Sequence, residues 1–497
     1  MGKWTRRAFI TTGLVAGGGV IVGVALRPGN QIKDLAGKVG EEGGQLVHSY
    51  IKIDTDNTIT AIIPHSEMGQ GVQTALGQML AEELDADWEN LLTEEAPALG
   101  EYSTYSAGRR YLLAGIDFPE ILIPTVDGAM MRVADSLNMQ ITGGSMSVRT
   151  TGALAMRIAG AATREMLEEA AASLWGVPIS EVTTENSYLI HAVTNRREPY
   201  ATFASTIAEM TPSQTPTFKD PSDYKIVGTH KPRRDIPAKV DGSLKFALDV
   251  RLPDMLYASV IRSPVSGGSV VLFDEAAALA IDGVVDVIKI PESTIGNAFG
   301  GTYSGETVAV VADSYWTANL AIKELDVQWS KTGFESVSSD SIFAQFDRDI
   351  TSRIERQTDR VEGEADSVFS TAAKIIDADY HVPYLAHTCM EPLNATANVR
   401  DGNAEVWVGC QNPLGFRRDV AVVLGLEEEA VTLHNHAMGG GFGRKARPDY
   451  AIQAAQISQA VGRPVQLIWS REEDVRQDFY RPAVQSRFRA AFDADNN

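Results

Sequence analysis

Alternation and helical spacing divide the chain before any motif is read. Tyr50 to Pro64 alternates apolar and polar positions around the turn Asp54-Thr55-Asp56-Asn57, which predicts a β-hairpin. Gly71 to Leu84 carries Val72, Ala75, Leu76, Met79 and Leu80 at helical spacing. An alanine-rich run from Ala153 to Trp175 predicts a second helix, stopping before Gly176-Val177-Pro178. Thr211-Pro212-Ser213-Gln214-Thr215-Pro216 reads as a linker, with a boundary near residue 220.

From Lys239 to Ser330 the pattern changes to short β-rich runs. Among them are Met255 to Ile261 and the buried-strand pattern Thr307 to Ala312, followed by a helix over Ser314 to Lys323. A polar connection, Glu335 to Glu364, leads to a last region. Strands are predicted there at Val406 to Val408 and Ala430 to His436, and a helix from Asp449 to Ala460. Val484 to Phe492 alternates like a strand, and Asp493-Ala494-Asp495-Asn496-Asn497 then supplies hairpin-turn chemistry with no return strand. The expectation is a fragment of a longer, multidomain α+β protein. Its divisions are a targeting segment at 1–30, a segment at 45–218, a small α/β domain at 225–335 and a last domain at 365–497.

A net charge of −21 argues against nucleic acid as a partner, because most of this surface would repel a phosphate backbone. Cys389 and Cys410 are the only cysteines, too few for a disulfide framework or a four-thiolate iron–sulfur cluster. Electrons moved here must leave through another subunit. Thr5-Arg6-Arg7-Ala8-Phe9-Ile10, with the glycine-rich apolar stretch to Leu26, resembles a twin-arginine signal. The expected location is therefore the periplasm. No convincing A-x-A site follows, so cleavage and retention as a membrane anchor both stay open.

The run Met438-Gly439-Gly440-Gly441-Phe442-Gly443-Arg444-Lys445 lies between a predicted strand and a predicted helix. Its glycines uncover backbone N–H groups, and the following helix adds a weak positive pole. Gly441 to Ala446 also fits the G-x-G-x-x-A of a dinucleotide fold, but no acid stands about 20 residues on and Pro448 interrupts the helix start. A phosphate loop of the GK[S/T] type fails because Arg444 separates Gly443 from Lys445 and Ala446 has no hydroxyl. His65-Ser66-Glu67-Met68-Gly69-Gln70-Gly71 closes one strand and opens the helix near Val72. Gly143-Gly144-Ser145-Met146-Ser147 puts two hydroxyls ahead of another helix. Three such helix starts predict one large ligand bearing several phosphate or polar groups. His381, His387 and Cys389, like His434 and His436, lack the tight complementary spacing of a zinc site, so no metal-ligating side chains are expected.

Met438 to Lys445, Glu67-Met68-Gly69-Gln70-Gly71 and Met390-Glu391-Pro392 together resemble the molybdenum-binding subunit of the xanthine dehydrogenase/aldehyde oxidase family. The likeness covers nearly the whole chain. With Glu67 to Gly71 near the N-terminus and a twin-arginine segment ahead of it, the order resembles the isoquinoline 1-oxidoreductase β-subunit group, which includes periplasmic aldehyde dehydrogenases. The resemblance implies molybdopterin-binding segments at 45–218 (permuted to the N-terminus) and 365–497, flanking a hammerhead-like α/β domain at 225–335. It implies that Gln411 is the catalytic glutamine that hydrogen-bonds an oxo ligand of molybdenum. Gly441, Phe442 and Gly443 would lie beside metal and pterin, and Gly69, Gln70 and Gly71 at the pterin phosphate region. Ser145 and Ser147 would form a hydroxyl-bearing cofactor loop. The implied cofactor is molybdenum–molybdopterin in its cytosine dinucleotide form, whose dithiolene supplies the metal ligands. The implied partners are a small [2Fe–2S] subunit and a cytochrome c acceptor.

The activity so implied is oxidation of an aldehyde, or of the carbon beside nitrogen in an aromatic heterocycle. Ala446 stands where purine-oxidising members carry a substrate-orienting glutamate, so purines are not expected. The family's general-base glutamate belongs near the C-terminus of the full subunit, beyond the end of this chain, and Glu391 is no substitute for it. Two other readings stay open at this point: a cofactor-binding but inactive fragment, and a nicotinamide-dependent dehydrogenase.

Overall fold

Asp54 starts the first turn by accepting the Asn57 N–H at 3.0 Å and donating its own N–H to Thr58 at 2.8 Å. Asn57 takes the left-handed conformation, φ 72°, that such a turn requires. The computed structural model describes residues 35, 36, 39, 45–104, 116, 118, 119, 122–143, 145, 147–213, 215–295, 302–352, 357 and 359–496. The twin-arginine segment lies outside these residues. Among them, no helix is long and apolar enough to cross a membrane.

The turn joins β2 (Ile51–Ile53) to β3 (Ile59–Ile63), after β1 (Gln45–His48). Helix α1 (Val72–Leu84) then crosses over to β4 (Leu91–Glu95), which runs parallel to β3. Sheet order is β1-β2-β3-β4, and every residue of β2 and β3 is buried. The second helix begins earlier than its alanine pattern suggests. It starts at Ser147 as a π-helical stretch to Met156 and tightens into α2 (Arg157–Trp175). Two glycines set its approach to α1. A Cβ on Gly160 would lie 2.5 Å from the Leu80 carbonyl oxygen, and one on Gly152 2.5 Å from Leu76 Cδ2. Close helix contact therefore depends on their missing side chains.

The rest of the described chain supplies β5 (Leu256–Arg262), β6 (Val284–Ile290) and β7 (Thr307–Ala312). Helix α3 (Ser339–Ser352) and β8 (Lys374–Val382) follow. Then come β9 (Asn394–Arg400), β10 (Asn403–Val408), α4 (Pro413–Leu424) and β11 (Val431–Asn435). Helix α5 (Asp449–Val461), β12 (Val465–Ile468) and β13 (Val484–Phe492) come after them, with shorter elements between. One seven-stranded sheet runs β6-β7-β5-β12-β9-β10-β11. Its β5/β12 and β10/β11 pairs are parallel, and the other neighbours are antiparallel. Helices α4 and α5 share its core through Phe416, Val420, Tyr450 and Ile452, packed with Val406, Val408 and Trp469. This sheet crosses the division expected between 225–335 and 365–497. Local periodicity marks strands but not partners, and β5 finds β12 across the whole intervening chain.

Two further differences concern connections. The polar stretch at 335–364 contains the amphipathic helix α3, whose Phe343 stacks on His381 of β8 at 4.8 Å between ring centroids. The alternating run at 484–492 pairs antiparallel with β8 along its length, Val484 opposite Val382 and Phe492 opposite Lys374. Its partner strand precedes it in the chain. The architecture is α+β and multidomain, as expected.

Candidate functional site

Parallel neighbours end on the same edge of a sheet, and two such pairs face each other here. β3 and β4 end at the Glu67 loop and at Glu95; β10 and β11 end at Gln411 and at the Met438 loop. The two edges are stitched together. Met438 N–H donates to the Glu67 carbonyl at 2.8 Å, and Asn435 Nδ2 donates to Ser66 Oγ at 2.7 Å and to Glu95. The N–H of Cys410 donates to Asn435 Oδ1 at 3.0 Å. Crevices outside the carboxyl ends of strands are where sheets of this kind bind ligands.

Gln411 sits at the centre, buried, just before α4. Its Oε1 accepts the Gly443 N–H at 2.9 Å, and its Nε2 donates to the Thr142 carbonyl at 2.9 Å. Its backbone is tied as well, donating to the Lys445 carbonyl at 2.9 Å and accepting from Thr142 N–H at 2.8 Å. An amide nitrogen carries two N–H groups, and among the described residues one is engaged. The third loop thus reaches the site through Thr142. Ser147 lies buried, with an Oγ that has no hydrogen-bond partner among the described residues, whereas Ser145 is exposed.

The glycines of the Met438 loop have separate reasons. A Cβ on Gly439 would lie 2.5 Å from Glu391 Cβ, and one on Gly441 would lie 2.8 Å from Gln411 Oε1 and 3.0 Å from Met68 Sδ. Gly443 has φ +102°. Phe442 is itself left-handed, φ 52°, with its side chain exposed. Lys445 and Glu391 form a buried ion pair at 2.6 Å, and Glu391 also accepts the Gly439 N–H at 2.9 Å. Glu391 is therefore a strut of the loop.

The Glu67 loop spends its donors differently from the expectation of an open phosphate cradle. Glu67 Oε1 accepts from Gly69 N–H at 2.8 Å and Gly71 N–H at 3.2 Å, and from Arg233 at 3.0 Å. Gln70 uses Oε1 to accept Met68 N–H at 2.7 Å and Nε2 to donate to Ser66 at 2.9 Å. The residues quoted for phosphate contact thus hold the loop in shape. What they leave open is the face over exposed Gly69, where an added Cβ would meet nothing within 4 Å.

His387 faces Gly443 from the other side, its Nε2 being 3.8 Å from where a Cβ would stand. Its Nδ1 lies 3.0 Å from both oxygens of buried Asp478, and Arg444 Nε is 3.2 Å from the same carboxylate. Arg444 is buried and bonds both oxygens of Asp449, at 2.9 and 2.8 Å. His434 stacks instead on Trp407 at 5.0 Å, and His381 belongs to the β8–α3 contact. Among the described residues, no three His, Cys, Asp or Glu side chains gather as a metal-ligating group.

Burial pushes the Glu95 carboxyl up to about 8, and it pulls the buried His65 imidazole down to about 3. His65 Nε2 lies 2.7 Å from Thr151 Oγ1, so the neutral ring is a packing element. Sequence reading missed Thr142, Asn435, Glu95, Arg233 and Asp478. Asn435 could have been suspected as a polar residue closing a strand beside a glycine loop; the others have no local signal.

Residues 346–497 match the family model described as the molybdopterin cofactor-binding domain. The chain is 28% identical over 485 residues to isoquinoline 1-oxidoreductase subunit beta of Brevundimonas diminuta, covering 89% of this chain and 56% of that protein. It is 30% identical over 514 residues to a membrane-bound aldehyde dehydrogenase of Gluconacetobacter polyoxogenes, whose name cites pyrroloquinoline quinone, covering 99% of this chain and 59% of that one. Among solved structures it is similar to quinoline 2-oxidoreductase from Pseudomonas putida, with 23% identity, TM-score 0.42, and coverage of 55% of this chain and 38% of that one. The chain thus spans between half and two-thirds of the length of these two curated relatives.

Proposed function

We propose, from the match of residues 346–497 to the molybdopterin cofactor-binding domain and the similarity to these relatives, that the chain is a molybdenum-binding subunit of the xanthine dehydrogenase family and that the whole protein is a molybdenum hydroxylase large subunit. It oxidises an aldehyde, or the carbon beside nitrogen in an aromatic heterocycle, with oxygen taken from water. The observation that carries the reading is the convergence of Gln411, Gly441 and Gly443 with the Glu67 loop at one set of strand ends.

The residues present fit molybdenum–molybdopterin, for which the cytosine dinucleotide form is proposed. Among the described residues, buried Ser147 Oγ has no hydrogen-bond partner, one N–H of the Gln411 amide is unengaged, and the side of Gly69 is open. When bound, the cofactor supplies the redox centre and its own metal ligands. Gln411, locked by Thr142 and Gly443, directs the N–H that is unengaged among the described residues without reorganising, which is how a preorganised donor stabilises developing charge. Gly441 admits no side chain between Gln411 and Met68, so the backbone stays close to the bound group. Glu391, held by Lys445 and the Gly439 N–H, keeps its role as a strut of the loop, and no base role is proposed for it.

Electrons leave to a separate [2Fe–2S] subunit and then to a cytochrome c. The proposed location is the periplasm, supported by Arg6-Arg7 and the apolar stretch after them. The test is turnover of the full-length protein, co-expressed with its candidate iron–sulfur subunit, against aldehydes and N-heterocycles with an artificial electron acceptor. Turnover without added NAD or pyrroloquinoline quinone is the expected result; a requirement for either refutes the proposal.

A further inference from the structure

His387 and Asp478 form a dyad that nothing in the cofactor chemistry uses. The Asp478 carboxylate is buried to 1% side-chain exposure, whereas the His387 side chain keeps 22%. A carboxylate can only accept, so the imidazole proton shared with it sits on Nδ1. The ring is anchored at one nitrogen and open at the other: Nε2 has no hydrogen-bond partner among the described residues. The open nitrogen looks across Gly443, whose left-handed backbone and missing side chain leave a slot. Gln411 closes the other side of the same residue by accepting its N–H. Exposed Phe442 borders the slot, its ring folded over Gly440.

We propose that His387 is a substrate-positioning residue: Asp478 fixes its ring so that Nε2 hydrogen-bonds the heteroatom of the substrate in the slot over Gly443. Nε2 donates when the ring carries a proton on each nitrogen, a form whose charge faces the Asp478 carboxylate that it shares with Arg444. An aldehyde oxygen or a heterocyclic nitrogen, both acceptors, is the partner that fits. The inference rests on the proposed oxidation of such substrates at this site.

The two side-chain amides separate this role from a structural one. In His387→Asn the amide overlays Nδ1 and can keep the Asp478 contact, but it cannot reach the slot. In His387→Gln the amide reaches the Nε2 position. The experiment measures KM and kcat for benzaldehyde and isoquinoline on the holoenzyme, beside molybdenum content for wild type, H387N, H387Q and H387L. The expected result is a rise in KM of about ten-fold in H387N and H387L, the loss of one neutral to charged hydrogen bond, with H387Q within about three-fold of wild type and all four loaded with molybdenum. Equal KM for H387N and H387Q, or rescue by H387N alone, overturns the proposal even if H387L fails to fold. Wild-type protein without molybdenum or turnover on either probe instead overturns the functional reading beneath it.

Discussion

The Gly443 N–H donates to Gln411 Oε1 at 2.9 Å, and this one hydrogen bond joins the ends of two parallel strands. It explains why the glycine run and a lone glutamine, well apart in sequence, act as one wall. The amide of Gln411 is oriented by the loop on one side and by Thr142 on the other. Its geometry is consequently sensitive to anything that moves Gly441 or Gly443.

Gly441→Ala tests that sensitivity. The new methyl would stand 2.8 Å from Gln411 Oε1 and 3.0 Å from Met68 Sδ, so one of them must move. Overpacking of this kind costs about 1–3 kcal/mol. The expected outcome is a lowered thermal midpoint and a larger loss of bound cofactor, read by calorimetry and by molybdenum content. Unchanged cofactor content would mean that Gln411 is not held as described.

Lys445→Met leaves Glu391 buried without its cation. Breaking a buried pair from one side costs about 3–5 kcal/mol, whereas replacing both partners by apolar groups is often near neutral. Urea denaturation of K445M, E391L and the double variant is expected to show the double variant more stable than K445M. Additive losses would show that the pair is not coupled.

How much of this was legible in the sequence depends on distance along the chain. The buried run 307–312 and the helix from Asp449 to Val461 were plain because their signals are local. The glycine loop stood out because four glycines in five positions uncover the backbone, but the same run also fits other loops until its partners are known. Asp478 and Thr142 were not, since a lone polar residue gains meaning only from the partner it meets in the fold. The same holds for β5 beside β12, and for Glu67, whose carboxylate fills the loop that its own glycines create. Helix α3 was hidden by its polarity, because its amphipathic stripe has no fully buried residue.

Glu95 gives a pH signature. Its folded value of about 8 lies above the ordinary 4.5, so between those values the folded state keeps a proton that the unfolded chain has released. This group's contribution is therefore full below about pH 4.5 and falls as pH rises toward about 8. Glu95→Gln stays neutral throughout, so its stability relative to wild type should climb across that window in thermal melts. A difference that stays flat with pH would place the Glu95 carboxyl in contact with solvent.

Gln411→Leu removes the amide while keeping similar bulk. Loss of one preorganised donor at developing charge typically lowers kcat about 100- to 1,000-fold. Steady-state kinetics on the cofactor-loaded variant should show that loss with a smaller change in KM. Full activity would remove Gln411 from the catalytic account.

The central claim is that these strand ends hold a molybdenum pterin, and metal and pterin analysis of the purified full-length protein tests it most directly. The account predicts molybdenum and a cytosine-bearing pterin in equal amounts, close to stoichiometric with the chain, and both diminished in Gly441→Ala. Protein that is folded and active yet carries no molybdenum, or carries bound nicotinamide or quinone in its place, would contradict it.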